Sequence, residues 1–304
     1  MSPTPYTWPH RRLRAMGCEM AIWLDVDTAT AEAILPTAAQ MFHGAEARLS
    51  RFRPTSELMQ LNQRAGEWVA VSDELWGVVQ EALHWAAVTE GLFDPTQLNA
   101  LVGLGYDRSF EQLPMQSMTV PPAPRASQWA AVEMNPDGRA IRLPATIQLD
   151  LGGIAKGYTA QQVADFLRPW GPALVNAGGD VTATAAPQGW AGWPVGLAKP
   201  LGLVVAEDVP GTVWLVEATL ATSGTDYRRW QHNGRTVHHI IDPRTGTAAE
   251  TDLLTVAVLG RTASEAEAWA TAALVAGRTA AQQYLRAQGL AAVLWDVKGE
   301  RIVL

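Results

Sequence analysis

The sequence predicts an α+β protein in which antiparallel sheets are flanked by helices. Predicted strands outnumber predicted helices, and several are joined by short turns, which argues against a doubly wound parallel sheet. No G-x-G-x-x-G stands at a strand–helix turn and no G-x-x-x-x-G-K-[ST] occurs, so both standard nucleotide fingerprints are missing. The 304 residues are 48% hydrophobic and 17% charged, a balance that suits one large globular unit or two small ones and excludes wholesale disorder.

The elements follow from local pattern. Residues 1–14 are Pro-rich and basic and are expected to be a disordered, frayed segment. Met20 to Val26 alternates as a strand does. Thr28 to about Arg51 is Ala-rich with helical spacing, apart from Pro36 near its start. A short strand is expected over 66–71. Ser72 then N-caps a helix that carries Asp73 and Glu74 in its first turn and stops at Gly91. Pro114 to Arg125 is expected to be an exposed connection, and 132–143 a hairpin around Asn135-Pro136-Asp137-Gly138. Further strands are predicted over 146–149, 173–175, 195–198, 213–218, 237–241 and 253–259. Helices are predicted over 155–168, 264–275 and 280–287. A hairpin over 292–297 and 301–304, turning at Lys298-Gly299, closes the chain. No fixed-period repeat and no low-complexity linker divides it.

Composition excludes several functions. The net charge of -7 lacks the basic footprint of a nucleic-acid binder. The 13 tryptophans are therefore expected as core or cleft walls, not as a base-stacking platform. One cysteine, Cys18, permits no internal disulfide and no cysteine-built metal site. No apolar stretch is long enough for a membrane span, and no apolar h-region precedes Cys18, so a soluble cytoplasmic protein is expected.

Four regions carry candidate chemistry. In Leu149-Asp-Leu-Gly-Gly-Ile-Ala-Lys-Gly-Tyr158 an apolar strand ends in an acid, two glycines follow, and a helix begins. Such a turn lets a ligand approach the backbone, helix-start N–H groups attract anions, and Lys156 adds charge. An ordinary tight turn with an exposed lysine fits the same letters. Asn176-Ala-Gly-Gly-Asp180 is a second glycine pair, read either as a bend or as the opposite wall of the same site. Thr222-Ser-Gly-Thr-Asp226 and His238-His-Ile-Ile-Asp-Pro-Arg-Thr-Gly246 make a third region dense in donors and acceptors, although Asp-Pro-Arg-Thr-Gly is also plain turn chemistry. The adjacent histidines point to opposite faces of a strand, which disfavours a dihistidine metal site. In the helix near 262–277, Glu267 and Thr271 are four apart and share a face, an oxygen pair suited to Mg²⁺. Either Ser264-x-x-Glu267 or Thr262-x-x-Glu265 fits a capping box, and only the second leaves Glu267 free.

Taken in order from about Met16 to Gly277, these motifs resemble the ApbE family of flavin transferases. Further pieces are Met16-Gly17, Leu49-Ser-Arg-Phe-Arg-Pro-Thr-Ser-Glu-Leu58 with Leu61-Asn62, Phe93-Asp-Pro-Thr96 and Ala221-Thr-Ser-Gly224. The resemblance implies an ApbE-like (T-fold-like) architecture over 15–304, with FAD in a central cleft between two intertwined halves. It implies an Mg²⁺-dependent FAD:protein FMN transferase. A Ser or Thr hydroxyl of an acceptor protein would attack the phosphorus of the FMN half, and AMP would leave. A FAD pyrophosphatase and a non-catalytic flavin-binding protein are the competing readings.

Carried over by residue, the resemblance places flavin-nucleotide contacts at Met16, Phe52, Asp94, Pro95, Thr96, Asp150, Lys156 and Ile241. The turn with Asn176, Gly178 and Gly179 closes the same cleft. It places metal ligands at the Gly153 carbonyl, Glu267 and Thr271. His239 is the candidate base, with Asp180 and Asp242 as rivals. Two positions depart from the family. Glu267 stands where Asp is usual, and its extra methylene moves the carboxylate by about 1.5 Å. Cys18 replaces the usual Thr after Met-Gly. The chain also lacks a Ser/Thr-Gly-Ala-Ser/Thr stretch, so the acceptor is expected to be another protein.

Overall fold

A computed structural model of the chain describes residues 8–113, 116–117, 127–201 and 211–304. A hairpin of β1 (His10–Ala15) and β2 (Cys18–Leu24) leads into α1 (Thr28–Leu49) and α2 (Glu57–Gln63). Next come β3 (Trp68–Ala70), α3 (Asp73–Val88), α4 (Leu98–Gly103), β4 (Gln116–Ser117), β5 (Glu133–Asn135) and β6 (Ala140–Arg142). After α5 (Ala155–Leu167) the chain is mostly strand: β7 (Ala173–Ala177), β8 (Asp180–Ala183), β9 (Trp193–Gly196), β10 (Thr212–Leu215) and β11 (Ala218–Gly224). Four short strands follow, β12 (Arg229–His232), β13 (Arg235–His238), β14 (Ile241–Asp242) and β15 (Thr247–Ala248). The chain closes with β16 (Leu253–Gly260), α6 (Ala263–Ala276), α7 (Arg278–Ala287), β17 (Ala291–Asp296) and β18 (Arg301–Val303).

The frame is one eight-stranded sheet in the order β1-β2-β7-β8-β11-β16-β17-β18, antiparallel at every pairing. This bears out the α+β expectation. Helices α1 and α5 bury Ala38, Phe42, Val163 and Leu167 against Ile22, Leu24 and Val175 at one end of the sheet. Helix α6 buries Trp269, Ala270, Ala273 and Leu274 with Val256 and Val258 at the other. On the sheet's second face, Leu174, Val181, Leu220 and Ala257 meet Trp193, Val195 and Leu215 of the β9–β10 pair.

Three local expectations are corrected. The frayed segment predicted to reach Arg14 is a strand from His10 onward, pairing His10 with Trp23 through Ala15 with Cys18. Strand β2 is apolar and needs a partner for its outer backbone groups; the basic side chains of β1 face solvent and guard the new edge. Residues 1–7 lie outside the described residues, as does the 114–125 connection apart from 116–117. The strand expected over 146–149 does not join a sheet. The Asn62 side chain takes its place: Nδ2 donates to Leu149 O at 2.9 Å and Leu149 N donates to Oδ1 at 2.8 Å. The strand expected over 237–241 breaks into β13 and β14, leaving His239 and Ile240 between them.

Candidate active site

Four sequence-distant turns converge on a cleft of about 1310 Å³. Each is placed by local chemistry. Met16 and Gly17 both adopt positive φ, 51° and 72°, the two-residue turn that suits the twist of an antiparallel hairpin. The turn after β7 needs glycine for space as well as φ. A Cβ on Gly178 would stand 2.8 Å from Cys18 Sγ. The Leu149–Gly153 run is anchored by Asn62 and by Asp150 N donating to Pro95 O at 2.8 Å. Helix α6 starts at Thr262, whose hydroxyl accepts from Glu265 N, and Glu265 turns back to accept from Arg261 N. The second capping option therefore holds, and Glu267 is free to face the cleft.

Lys156 is the centre of the polar end. Its Nζ donates to Gly152 O at 2.8 Å and lies 3.4 Å from Glu267 Oε1 and 3.9 Å from Asp180 Oδ2. Asp180 Oδ1 accepts from Thr222 N at 2.9 Å, which ties the second glycine turn to β11. Glu267 Oε2 accepts from Gly157 N at 3.1 Å, so this carboxylate occupies one N–H of the α5 start. Gly157 must be glycine here, because a Cβ would lie 2.5 Å from Oε2. Ser223 and Thr271 share a hydroxyl bond of 2.9 Å one helical turn along α6 from Glu267.

The electrostatics follow from burial. Glu267 is pushed up to about 8 by desolvation, with Lys156 pulling it down and Asp180 pushing it up. Burial draws the Lys156 ammonium down, but Glu267 and Asp180 together hold it above the usual lysine range. His239 lies well below the ordinary histidine value, first through burial and then through the charges of Arg228, His238 and Lys156. It is therefore neutral near pH 7, and its Nδ1 is buried with no hydrogen-bond partner among the described residues.

The other end is aromatic. The Arg51 guanidinium stands 4.1 Å from the Phe52 ring centroid and 4.4 Å from that of Tyr106. Its Nε meets Asp150 Oδ2 at 2.6 Å, and both side chains are nearly buried, 8% and 13% exposed. The second Asp150 oxygen accepts from Gly152 N at 2.7 Å. Arg51 was not foreseen as a site residue, although Arg beside Phe in the Leu49–Leu58 motif was the signal available.

Most predicted positions meet in this cleft. Met16, Phe52, Asp94, Asp150, Lys156 and Ile241 line it, as do Asn176, Gly178, Gly179, Asp180 and His239, and Gly153, Glu267 and Thr271. Three positions do not. Pro95 and Thr96 stand behind the wall: Pro95 offers its carbonyl to Asp150, and Thr96 is bonded to Asp94 Oδ1. Asp242 also lies off the cleft. Its two oxygens take the Arg244 backbone N, Nε and Nη2, which fixes the Asp-Pro-Arg-Thr-Gly turn. As a rival base it is corrected, because Arg244 claims it and holds it below the usual carboxylate range despite the opposing effect of burial.

A hard divalent cation is suited to all-oxygen surroundings. Glu267, Asp180, Thr271 and Ser223 supply carboxylates and hydroxyls at one end of the cleft. The donor set therefore fits Mg²⁺. Among the described residues no cluster of three or more His, Cys, Asp and Glu forms a metal cage, so backbone carbonyls and hydroxyls must complete any such site.

Comparison with known proteins agrees with this geometry. The chain is 31% identical over 278 residues to the FAD:protein FMN transferase of Treponema pallidum (strain Nichols), covering 86% of this chain and 76% of that one. It is 30% identical over 286 residues to the FAD:protein FMN transferase of Klebsiella pneumoniae (strain 342), covering 91% and 81%. The crystal structure of the ApbE protein from Thermotoga maritima superposes with a TM-score of 0.85 at 25% identity, over 98% of this chain and 97% of that one. The flavin transferase ApbE from Vibrio cholerae shares the fold, with a TM-score of 0.80 at 24% identity over 98% and 97%. A model of the ApbE family matches residues 16–294, which include every turn of the cleft, and the chain belongs to that family.

Proposed function

We propose that the chain is an Mg²⁺-dependent FAD:protein FMN transferase that moves FMN from FAD to a Ser or Thr hydroxyl of an acceptor protein and releases AMP. The convergence of Lys156, Asp180 and Glu267 with the Ser223 and Thr271 hydroxyls in a cleft of dinucleotide size is the observation that carries this reading. The names of the relatives above support it.

In this reading Phe52, Met16 and Ile241 offer apolar contact to the substrate's planar rings. Asp150, oriented by Arg51 and Gly152 N–H, accepts one of its hydrogen bonds. Lys156 holds phosphate oxygens close to the α5 start. His239, neutral and with Nδ1 uncommitted, takes the proton from the acceptor hydroxyl as it attacks phosphorus. Asp180 is the remaining rival, but it is bound to Thr222 N and faces Lys156. Glu267, Thr271 and the Gly153 carbonyl would hold Mg²⁺, which when bound neutralises diphosphate charge as a Lewis acid.

The test is to incubate the protein with FAD, Mg²⁺ and an acceptor domain carrying a Ser/Thr flavinylation motif. Free nucleotides and acceptor-bound flavin are then read from one sample. AMP released in step with bound flavin is the expected result. Free FMN with AMP, acceptor or not, would mean that water replaces the hydroxyl and that the chain is a FAD pyrophosphatase. Intact FAD that stays bound at saturating Mg²⁺ would mean a non-catalytic flavin-binding protein.

A further inference from the structure

We propose that Arg228 is a second cationic contact for the diphosphate of FAD, acting opposite Lys156; this rests on the transferase reading above. Arg228 lies in the 225–228 connection between β11 and β12 and lines the cleft. The other partly buried arginines among the described residues meet acids: Arg51 meets Asp150 at 2.6 Å, Arg142 meets Glu133 at 2.6 Å, and Arg278 meets Asp296 at 2.8 Å. Arg228 meets none among the described residues. Among the described residues its side-chain hydrogen bond runs from Nη2 to Cys18 Sγ at 3.2 Å, and a thiol sulfur is a weak acceptor. The same side chain is among those that line the cleft.

The charges around it sharpen the point. Tyr106, Cys18, Glu111, Lys156 and His239 are the titratable groups that feel Arg228. Glu111 is held by Arg14 at 2.5 Å. Lys156 has three oxygen partners of its own, whereas Arg228 meets no carboxylate among the described residues. The two cations are bridged by packing: Cys18 lies against Gly178, and a Cβ on Gly178 would also touch Lys156 Cδ at 4.0 Å. The turn's own amides are spent, Gly178 N on Glu19 O and Gly179 N on Asn176 Oδ1. An anion entering here is met by the two side chains. A desolvated guanidinium without a counter-charge is costly, and a phosphate oxygen is its natural partner.

The chemistry uses such a charge. The acceptor oxygen forms a bond to the phosphorus of the FMN half, and the bond from that phosphorus to the bridging oxygen breaks. The bridging oxygen leaves with AMP and carries a new negative charge, while the hydroxyl proton passes to the base. A guanidinium on the diphosphate offsets charge that grows along this path.

The experiment titrates wild type, Arg228→Met and Arg228→Lys with FAD and with riboflavin, which has the flavin ring but no phosphate. Inorganic pyrophosphate serves as competitor, and thermal unfolding of each variant is followed in parallel. The expected result for Arg228→Met is FAD affinity lower by about ten- to a hundredfold, unchanged riboflavin affinity and loss of pyrophosphate competition, with Arg228→Lys between. Equal losses for FAD and riboflavin, or FAD affinity within twofold of wild type, would overturn the proposal. If Arg228→Met does not fold, Arg228→Lys decides by the same ratio of FAD to riboflavin. Failure of the wild type itself to bind FAD would instead remove the transferase reading, and this proposal with it.

Discussion

Replacing Glu267 with glutamine removes a charge while keeping shape and a donor toward Asp180. The folded protein holds this carboxyl near 8 against an ordinary 4.5, because burial disfavours its ionised form more than Lys156 favours it. A group whose folded value lies above its unfolded one binds its proton more tightly in the folded state. As pH rises through 4.5 the unfolded chain ionises first, and stability falls until pH passes about 8. At about 1.4 kcal/mol per pH unit, the interval corresponds to about 5 kcal/mol. Relaxation and water entry around a buried ion reduce such a penalty, so the expected loss is about half of that, roughly 2–3 kcal/mol. Glu267→Gln has no such loss. Urea unfolding without divalent cations, from pH 5 to pH 9, reads the difference. The two stability curves should lie within about 1 kcal/mol of each other near pH 5, and the variant should be more stable by about 2–3 kcal/mol above pH 8. Mg²⁺ at high pH should return stability to the wild type and not to the variant. A variant less stable by a constant amount at every pH would refute the reasoning, since the carboxylate would then be a net stabiliser through Lys156 and Gly157 N–H.

Three other outcomes follow from the site. Lys156→Met should leave the Asp180 carboxylate without its cation beside a Glu267 that is still protonated, costing about 3–5 kcal/mol near neutral pH, and Lys156→Met/Asp180→Asn should recover much of it; chemical denaturation measures both. Asn62→Leu should lower stability by about 2–4 kcal/mol by stranding the Leu149 N–H and C=O, and should raise KM for FAD because the Asp150 turn loses its anchor; unchanged KM would separate that turn from substrate binding. If neutral His239 is the base, kcat/KM at saturating Mg²⁺ should stay flat as pH falls through 6.5 and decline only in more acid solution, because its folded value is depressed; an acid limb at or above 6.5 that added Mg²⁺ does not move would exclude it.

Much of this site was legible along the chain. Gly-Gly after an apolar strand, with Lys156 three residues on, marked a ligand turn, and Glu267 with Thr271 marked one helical face. Spacing alone left the α6 cap ambiguous. Only the structure decides it, since Thr262 and Glu265 take the capping bonds. Asp242 shows the limit of reading polar density as chemistry: a dense run of donors and acceptors folded into a self-contained turn with Arg244.

By itself the sequence determined what short-range physics controls. Alternation and turn residues set the strands, Ser72 set the start of α3, and order of motifs along the chain set the family. What it could not determine were partners 87 to 210 residues away. Asn62 reaches Leu149 across 87 residues and replaces a missing strand, and Arg228 reaches Cys18 across 210. The pairing of β1 was equally hidden, because a basic segment becomes a strand only when an apolar edge is present to pair with it. Charge state was decided by tertiary structure too: a glutamate is an ordinary acid in any sequence, and becomes a near-neutral-pH group only when a fold buries it beside another acid.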